Sequence, residues 1–558
     1  MMLQSDERWN LWLNKYFVWL LIVGILANLS GLFITILEPD GALYATIAKE
    51  MVQSADFINL KVEGKDWLDK PHFPFWVTAL SFKLLGINTV AYKLPALLFW
   101  AMGGLYTWLL AKELYSKNIA TLSVLIYLTA AHLAISNNDV RAEPYLTGLI
   151  IGSVYHFYKS LPKNIGPHLI LGSFLAALAA MTKGPFVLIV IASGFIFHWI
   201  IRREWREFFH YRWGIAILLI SLFIIPEIYC LYRQFDLHPE KVVFGHTGVS
   251  GIRFFFWDSQ FGRFFNNGPI RGKGDPLFYL HTILWAFLPW SILLIAGVIR
   301  IIQHIRKKTS PYEGIIIGTS LITFLLFSLS RFQLPHYMNI VFPFFSIITA
   351  QYIYNNRSKS SQKTWFIIQH IILFLLIFLL LVIILYFNMP NRYIIIIILI
   401  GLYIAILYFL RKNNSSRIVG CSFLISALFY TFLNTVFYPN LLIYQSGSNA
   451  ARYINKREPG KIVCTYLENS YSFAFYLNEN VEYFQRPELL LARSAQQETL
   501  VFTSEDNLPN LQKEGISIKI LKAFPHFHIS QLTLNFLNAG KRSSVTKKMI
   551  VARISKAR

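Results

Sequence analysis

Cysteine and charge are both scarce in this sequence. The 558 residues include three cysteines, Cys230, Cys421 and Cys464, which lie far apart without a CxxC pair. This spacing predicts neither a zinc site nor a disulfide framework. Charged residues make up only 15% of the chain, against about 25% in soluble domains, which is too few to cover a soluble fold. A Walker A loop, a GxGxxG segment and a DxD motif are also missing from the sequence, so a soluble nucleotide donor is not supported.

Apolar residues, by contrast, are abundant. Hydrophobic residues make up 55% of the chain and aromatic residues 16%. A hydrocarbon core of about 30 Å needs roughly 20 apolar residues per helix, and about thirteen segments approach that length. They are residues 16–37, 90–110, 119–135, 144–158, 169–181, 185–201, 213–231, 277–302, 314–329, 334–354, 365–387, 393–410 and 418–438. The sequence therefore predicts an all-α polytopic membrane protein.

The net charge of +23 has a simple explanation in membrane topology. Lys and Arg are concentrated in alternate connections between the predicted spans. These basic connections fall at residues 112–117, 159–163, 202–212, 300–308, 357–363 and 411–417. Because cytoplasmic loops are rich in Lys and Arg, we expect these loops and the amino terminus to face the cytoplasm and the carboxyl terminus to lie outside. The positive charge therefore does not indicate a nucleic-acid partner.

Residues 73–85 test this orientation. The segment is apolar but marginal in length for a span. If it crossed the membrane, the later basic loops would lie on the side opposite to Arg8 and Lys15. We therefore expect it to lie along the outer face, within a large external loop at residues 38–89. A second external loop is predicted at residues 232–275.

The sequence pattern changes after residue 438. Five short strands are predicted at residues 461–467, 481–484, 499–503, 516–524 and 549–554, and helices are predicted at residues 471–477, 488–495 and 508–514. This alternation predicts a small α/β domain outside the membrane. The expected organisation is a transmembrane domain at residues 1–438 and a soluble domain at residues 439–558.

Four polar clusters lie where predicted spans meet the outer face, and polar groups in so apolar a chain indicate a functional site. The first, at residues 38–44, contains Asp40, which would equally suit the cap of the helix that follows. The second contains Asp69 and Lys70. A lone lysine at this position would also suit a contact with lipid headgroups.

The other two clusters lie in short connections on the same predicted side. Asp139, Arg141 and Glu143 fall within five residues, and a structural interpretation is that the first two pair and the third caps a helix. In the last cluster, Arg331 suits a snorkelling cation and Tyr337 an aromatic-belt residue. Each signal is weak alone, but the shared membrane face of all four clusters favours one joint site.

Acidic residues, cations and a tyrosine at the lipid boundary suit group transfer from a phosphate-bearing lipid. A phosphate leaving group needs cations to hold its developing negative charge. Arg provides paired hydrogen bonds and Lys a point charge. The attacking acceptor must give up a proton, which calls for a carboxylate within hydrogen-bond reach.

The order of these motifs resembles the bacterial GT-C glycosyltransferases, which are related to the protein O-mannosyltransferases and include the aminoarabinose transferases that modify lipid A. The resemblance is carried by Asp-Gly-Ala-Leu-Tyr at 40–44, Asp-Lys-Pro at 69–71, Asp-Val-Arg-Ala-Glu at 139–143 and Leu-Pro-His-Tyr at 334–337. The segments at 182–185, 255–263 and 287–290 also fit this family. The resemblance implies a GT-C fold of about thirteen spans with an external α/β domain.

The resemblance also implies a reaction. Such enzymes move a sugar from a polyprenyl-phosphate donor to an envelope acceptor, which here is lipid A, another lipid or a protein, at the outer face of the bacterial inner membrane. Carried over by motif, Asp40 activates the acceptor and Asp139 is the second acidic residue. Lys70 and Tyr337 contact the donor phosphate, with Arg331 as a helper.

Three further residues, Asp69, Arg141 and Glu143, are expected to support the site. The sequence assigns no metal ligand and leaves open whether a divalent metal takes part. Apart from the donor and the acceptor, membrane lipids are the expected partners.

Two other classes of function stay open. A transporter or flippase for a lipid-linked sugar would place charges near the membrane midplane and show repeated halves with broken helices. A non-catalytic envelope assembly protein would need no ordered set of Asp, Lys and Tyr. Because the charges cluster at one edge and no repeat is found, the enzyme is the favoured interpretation.

Overall fold

The computed structural model describes residues 2–161, 165–304, 313–356, 358–410 and 414–556. Several of the predicted basic-loop residues lie outside the described residues. These are Lys163, Arg306, Lys307, Lys308, Arg357, Arg411 and Lys412.

Helices make up most of the chain before the carboxyl-terminal domain. In the first half they are α1 (Met2–Leu29), α2 (Asp40–Ser54), α3 (Phe73–Leu85), α4 (Thr89–Leu114), α5 (Lys117–Thr129), α6 (Ala131–Ser136), α7 (Glu143–Ser160), α8 (Pro167–Lys183), α9 (Phe186–Arg202), α10 (Trp205–Phe208), α11 (Tyr211–Leu231), α12 (Gly251–Arg253) and α13 (Arg263–Phe265). Then follow α14 (Phe278–Ala286), α15 (Ser291–His304), α16 (Glu313–Leu329), α17 (Phe342–Asn355), α18 (Lys359–Phe387), α19 (Arg392–Phe409), α20 (Asn414–Phe432) and α21 (Tyr438–Leu441).

The multi-pass helical architecture predicted from composition is confirmed. Within the described ranges, six helical stretches are long and apolar enough to cross a membrane, and five further apolar helices are shorter. The six are Trp9–Leu29, Thr89–Leu114, Tyr211–Asp236, Ser360–Phe387, Arg392–Phe409 and Ser416–Tyr444. The total of about thirteen crossings stays a prediction.

Two of the predicted spans are each broken into two helices. Residues 119–135 divide between α5 and α6 at Ala130, whose backbone is extended. Residues 277–302 divide between α14 and α15 next to Pro289, which has no N–H to continue a helix. The two breaks lie next to each other and are joined by a hydrogen bond, which the Ala131 N–H donates to the Leu288 carbonyl at 3.0 Å. This bond satisfies backbone polar groups that the apolar bundle cannot otherwise hydrate.

The carboxyl-terminal domain contains a five-stranded sheet with the order β4-β3-β5-β7-β6. Its strands are β3 (Ile462–Tyr466), β4 (Val481–Phe484), β5 (Thr499–Ser504), β6 (Ile516–His526) and β7 (Lys547–Lys556). Its helices are α22 (Ser446–Arg457), α23 (Tyr471–Tyr476), α24 (Pro487–Gln496), α25 (Leu508–Lys513) and α26 (Leu534–Leu537). Strand β3 pairs in parallel with β4 and β5, whereas β7 is antiparallel to β5 and β6. The five predicted strands and the three predicted helices are confirmed.

Residues 38–89 form the platform that carries two of the four polar clusters. This stretch contains α2, a two-stranded hairpin of β1 (Lys61–Val62) and β2 (Lys65–Asp66), and α3. Helix α2 packs against α3 and against α23 of the carboxyl-terminal domain. Helix α3 has 13 residues, about 20 Å at 1.5 Å per residue. It is therefore short for a span, and its position along the outer face stays a prediction.

Candidate active site

Arg141 joins the two acidic residues to which the sequence assigns the chemistry. Its guanidinium lies 2.7 Å from Asp40 Oδ2 and 2.7 Å from Asp139 Oδ2, and its Nε donates to the same Asp139 oxygen at 3.0 Å. The Asp40 side chain is 41% exposed, against 23% for Asp139. Burial raises the pKa of Asp139, although the charge of Arg141 opposes that shift. Asp40 is therefore the carboxylate of the pair that is more open to a substrate.

Asp69 holds two cations together at the start of α3. Its two carboxylate oxygens bind Lys70 and Arg263, one each, and all three side chains are mostly buried. Burial alone would raise the pKa of Asp69, but the neighbouring Lys70 and Arg263 charges keep it at about 2. The carboxylate is therefore ionised at any physiological pH. Arg263 comes from α13, so Asp69 links this helix to the platform that carries Lys70.

Glu143 and Lys183 form a third ion pair, in which both side chains are nearly fully buried, at 3% and 8% exposure. The Lys183 ammonium also lies 3.6 Å from the centre of the Tyr337 ring. His336 Nε2 approaches the same Glu143 oxygen at 3.8 Å. Two of the sequence clusters, at residues 137–144 and 330–337, therefore meet through a lysine from the end of α8.

Tyr44 lies near the three ion-paired groups. This side chain of α2 is 9% exposed. Burial raises its pKa well above the usual value, and the charges of Asp69, Asp40 and Glu143 raise it further, while Arg141 lowers it. The phenol thus lies among charges from three of the four clusters. The structure thus brings these charged groups together, whereas the membrane face that they share stays a prediction.

An open groove of about 490 Å³ begins at the cationic side of this site. Its polar end is formed by Lys183, Arg263 and Tyr337. Apolar side chains line most of the remainder: Pro185, Phe186, Ile189, Phe256, Phe261, Phe264, Phe265, Leu326, Phe327 and Phe332. The groove therefore combines a lipid-like surface with a cationic end, as a lipid phosphate would require.

The capping interpretations of Asp40 and Glu143 are wrong. Each is the first residue of its helix, preceded by Pro39 and Ala142 at the cap positions, and neither cap position shows a side-chain cap. Both carboxylates instead bind cations from elsewhere in the chain. Pairing with cations that are distant in sequence, rather than local helix chemistry, accounts for their positions.

Arg331 is the predicted site residue that the structure does not bring to the cluster. Its side chain is exposed, and its backbone N–H donates to the Phe264 carbonyl at 3.2 Å. Two cations that were not assigned a role, Arg263 and Lys183, occupy the polar end of the groove. Both belong to segments that also fit the family resemblance, and that resemblance is the sequence signal that could have found them. The described residues contain no group of three or more His, Cys, Asp or Glu side chains that would hold a metal ion.

Comparison with known proteins agrees with this architecture. A family model described as dolichyl-phosphate-mannose-protein mannosyltransferase matches residues 69–229. An undecaprenyl phosphate-alpha-4-amino-4-deoxy-L-arabinose arabinosyl transferase of Edwardsiella ictaluri is 27% identical over 324 residues, 57% of this chain and 55% of that protein. An uncharacterised protein of Aquifex aeolicus is 28% identical over 336 residues, 59% of this chain and 62% of its own length. The chain thus spans between 55% and 62% of the length of these relatives.

The fold extends further than the sequence similarity. The crystal structure of ArnT from Cupriavidus metallidurans bound to undecaprenyl phosphate superposes with a TM-score of 0.76 at 16% identity, over 96% of this chain and 98% of that one. The apo form of the same protein gives a TM-score of 0.73. The chain therefore has the fold of these ArnT structures over nearly its whole length.

Proposed function

We propose that the protein is an integral-membrane glycosyltransferase that moves a sugar from a polyprenyl-phosphate donor to an envelope acceptor. One observation carries the proposal: the apolar groove ends at Lys183, Arg263 and Tyr337, directly beside the Asp69–Lys70 pair. A polyprenyl chain suits the groove, and a phosphate suits its cationic end. The relatives named for transfer from undecaprenyl phosphate, and the ArnT structure that holds this lipid, support the same donor class.

The charge balance supports different roles for the end of the groove and for the Arg141 cluster. Around the end of the groove, the cations Lys70, Arg263 and Lys183 face the carboxylates Asp69 and Glu143, which leaves one positive charge in excess. In the other cluster, Arg141 pairs with two carboxylates while the buried Lys93 acts on Asp139 from further away, so the carboxylates outnumber the directly paired cation. An excess positive charge stabilises a departing phosphate, and an excess negative charge favours removal of a proton.

The reaction follows from this arrangement. The acceptor oxygen attacks the sugar carbon that is bonded to the phosphate oxygen, and Asp40 takes the acceptor proton as the new bond forms. The bond between that carbon and the phosphate oxygen breaks, and the polyprenyl phosphate leaves with both electrons. Lys70, Arg263, Lys183 and Tyr337 hold the released phosphate. Asp139 contributes indirectly, because it shares Arg141 with Asp40 and so orients the guanidinium.

We place the site at the outer face of the bacterial inner membrane, with the amino terminus in the cytoplasm and the carboxyl-terminal domain in the periplasm. The positive-inside distribution of Lys and Arg supports this orientation. The acceptor is an envelope molecule: the motif resemblance favours a lipid of the lipid A type, and the description of the matching family model supports a protein as the alternative.

The proposal is tested with purified protein in proteoliposomes that contain polyprenyl-phosphate sugar and envelope lipid, with product detected by mass spectrometry. Asp40→Asn is expected to bind donor normally but to lower kcat by about 100-fold or more, as loss of a general base does. Lys70→Ala and Arg263→Met are expected to raise the donor KM. Near-normal turnover of the Asp40 variant would remove this residue as the base.

Arg331→Met is the matched comparison for Arg263→Met, because both remove a guanidinium near the same groove. If Arg331 only lies at the surface, its variant keeps the donor KM of the wild type. A raised donor KM in the Arg331 variant would restore the helper role that the resemblance implies.

A further inference from the structure

Helix α23 of the carboxyl-terminal domain lies along the segment that carries Asp40. This helix has six residues and packs against α2. Four residues of the segment, at positions 36, 38, 46 and 49, contact the helix or the residues that flank it. The contacts join parts of the chain that are more than 400 residues apart.

The amino end of α23 is held by Glu38. One oxygen of this carboxylate accepts hydrogen bonds from the Ser470 hydroxyl at 2.6 Å and from the Ser472 N–H at 2.7 Å. Ser470 in turn caps the helix by accepting from the Phe473 N–H at 3.2 Å. The first N–H groups of a helix have no partner within the helix, and Glu38 supplies one from another part of the chain.

The carboxyl end of α23 is held by Lys49. Its ammonium donates to the carbonyl oxygens of Ala474 at 2.8 Å, Phe475 at 3.1 Å and Leu477 at 2.5 Å. The Lys49 residue is only 6% exposed. The last carbonyls of a helix also lack partners within the helix and attract a positive charge. Glu38 and Lys49 therefore hold opposite ends of one helix with opposite charges.

Additional bonds fix the segment between and beside these two residues. The Thr46 hydroxyl donates to the Tyr471 carbonyl at 3.0 Å. The Tyr476 hydroxyl accepts from the Ile36 N–H at 2.9 Å. Gln445, at the start of the carboxyl-terminal domain, accepts from the Glu38 N–H at 3.1 Å and donates to the Ile36 carbonyl at 2.9 Å. The backbone on both sides of Asp40 is thus attached to the carboxyl-terminal domain.

Asp40 itself has little else to fix its position. Its carboxylate is 41% exposed and pairs with one residue, Arg141, in the described part of the chain. It lies two residues after Glu38 and nine before Lys49. The position of its carboxylate is therefore set mainly by the backbone, and misplacement of a catalytic group by 1 Å costs a factor of about 100 in rate.

We propose that Glu38 and Lys49 are positioning residues that clamp the Asp40 segment to helix α23, so that the carboxyl-terminal domain sets the position of the acceptor-activating carboxylate. This inference rests on the proposed function, in which Asp40 activates the acceptor. The donor-binding groups Lys70 and Arg263 belong to the loop that leads into α3 and to α13, and they are not held by the clamp. The clamp therefore acts on turnover and not on donor affinity.

The test uses Glu38→Ala and Lys49→Met in the full-length protein in proteoliposomes. Each is expected to lower kcat by about tenfold, part of the loss that a 1 Å displacement causes, with the donor KM within about twofold of the wild type. Glu38→Gln keeps an acceptor oxygen and Lys49→Arg keeps the donors, so these conservative variants are expected to recover most of the turnover. Burial lowers the pKa of Lys49 to about 8, so the buried charge is itself costly and its removal need not unfold the protein.

Arg542→Met is the matched control, because Arg542 also attaches the carboxyl-terminal domain to the helical bundle but does so elsewhere. Its guanidinium donates to the Phe387 carbonyl at 2.8 Å and lies 3.8 Å from the Phe387 ring centre, at the end of α18. This variant is expected to lower thermal stability in detergent without lowering kcat.

Wild-type kcat in Glu38→Ala and Lys49→Met, or an equal fall of kcat in Arg542→Met, would overturn the clamp. A raised donor KM with unchanged kcat would do the same. The proposed function fails in a different way, through wild-type protein that transfers no sugar, whereas an active Asp40→Asn protein would remove Asp40 as the base. Active Lys49→Met beside inactive Asp40→Asn would overturn the clamp alone.

Discussion

The buried Glu143–Lys183 pair allows a quantitative prediction for Glu143→Gln. The substitution keeps the size of the side chain but leaves the Lys183 ammonium without a counter-charge, at only 8% exposure. Breaking a buried ion pair by removing one partner lowers the free energy of unfolding by about 3–5 kcal/mol. We expect the lower end, about 3 kcal/mol, because the Tyr337 ring stays beneath the ammonium and keeps a cation–π contact that is worth about 2 kcal/mol when desolvated.

The double variant Glu143→Gln/Lys183→Met separates charge from packing. Replacing both members of a buried pair by neutral groups of similar volume is often neutral for stability. The double variant is therefore expected to have a free energy of unfolding close to that of the wild type, although Glu143→Gln alone lowers it. It is also expected to raise the donor KM, because Lys183 lines the polar end of the groove.

The measurement is equilibrium unfolding in mixed detergent micelles, with Glu113→Gln as the control. Glu113 pairs with Lys159 at 3.0 Å, but both side chains are about one-third exposed, so this loss should cost less than about 1 kcal/mol. If Glu143→Gln cost no more than Glu113→Gln, the pair would be hydrated and the argument from burial would be wrong. A double variant as unstable as the single one would refute it as well.

Two further predictions concern stability. His72 donates its ring N–H groups to Glu227 and to the Ile58 carbonyl; burial opposes its charge, but these partners raise its pKa overall. Its stabilising contribution should therefore be complete below about pH 6.5 and be lost as the pH rises through the higher folded-state pKa. Each whole pH unit between the unfolded-state and folded-state pKa values adds about 1.4 kcal/mol to the free energy of unfolding. Unfolding of His72→Gln should lack this pH dependence. In a second experiment, Gly148→Ala should destabilise the protein by about 1–3 kcal/mol, because its methyl group would lie 2.2 Å from the Phe99 carbonyl oxygen. Gly401→Ala meets nothing within 4 Å and should be neutral or slightly stabilising in the same unfolding assay.

The carboxyl-terminal domain was the part of the fold that could be predicted most closely. The predicted strand at residues 481–484 has the observed bounds, and the predicted strand at residues 499–503 is one residue short. The ends of short apolar runs that lie between turns and polar helices can be predicted from the neighbouring residues alone. The order of the strands was not predicted, because it depends on pairing between distant segments. The break at Ala130 was missed for a related reason, since the bond that supports it comes from Leu288.

The candidate site was predictable where a motif was polar in an apolar setting. Asp40, Asp69 and Asp139 can be selected as candidate site residues from this polarity alone. Arg263 and Lys183 cannot, because a cation next to an apolar segment is also the signature of an ordinary membrane anchor. What distinguishes them is a partner, and the partners Asp69 and Glu143 are 194 and 40 residues away in sequence. Only the folded chain shows that these cations line one groove.

The ion pairs also explain how so apolar a protein keeps its cations in place. An unpaired charge in such surroundings is costly, so each cation at the end of the groove has a carboxylate partner. In the proposed reaction, a donor phosphate that arrives at this end competes with Asp69 and Glu143 for cations that are already desolvated. Binding therefore exchanges one set of charge contacts for another, and the net attraction is smaller than for bare cations. The same exchange runs in reverse after transfer, because the carboxylates take the cations back as the lipid phosphate leaves. Pairing thus limits the affinity for the product, which a site that must release a charged lipid requires.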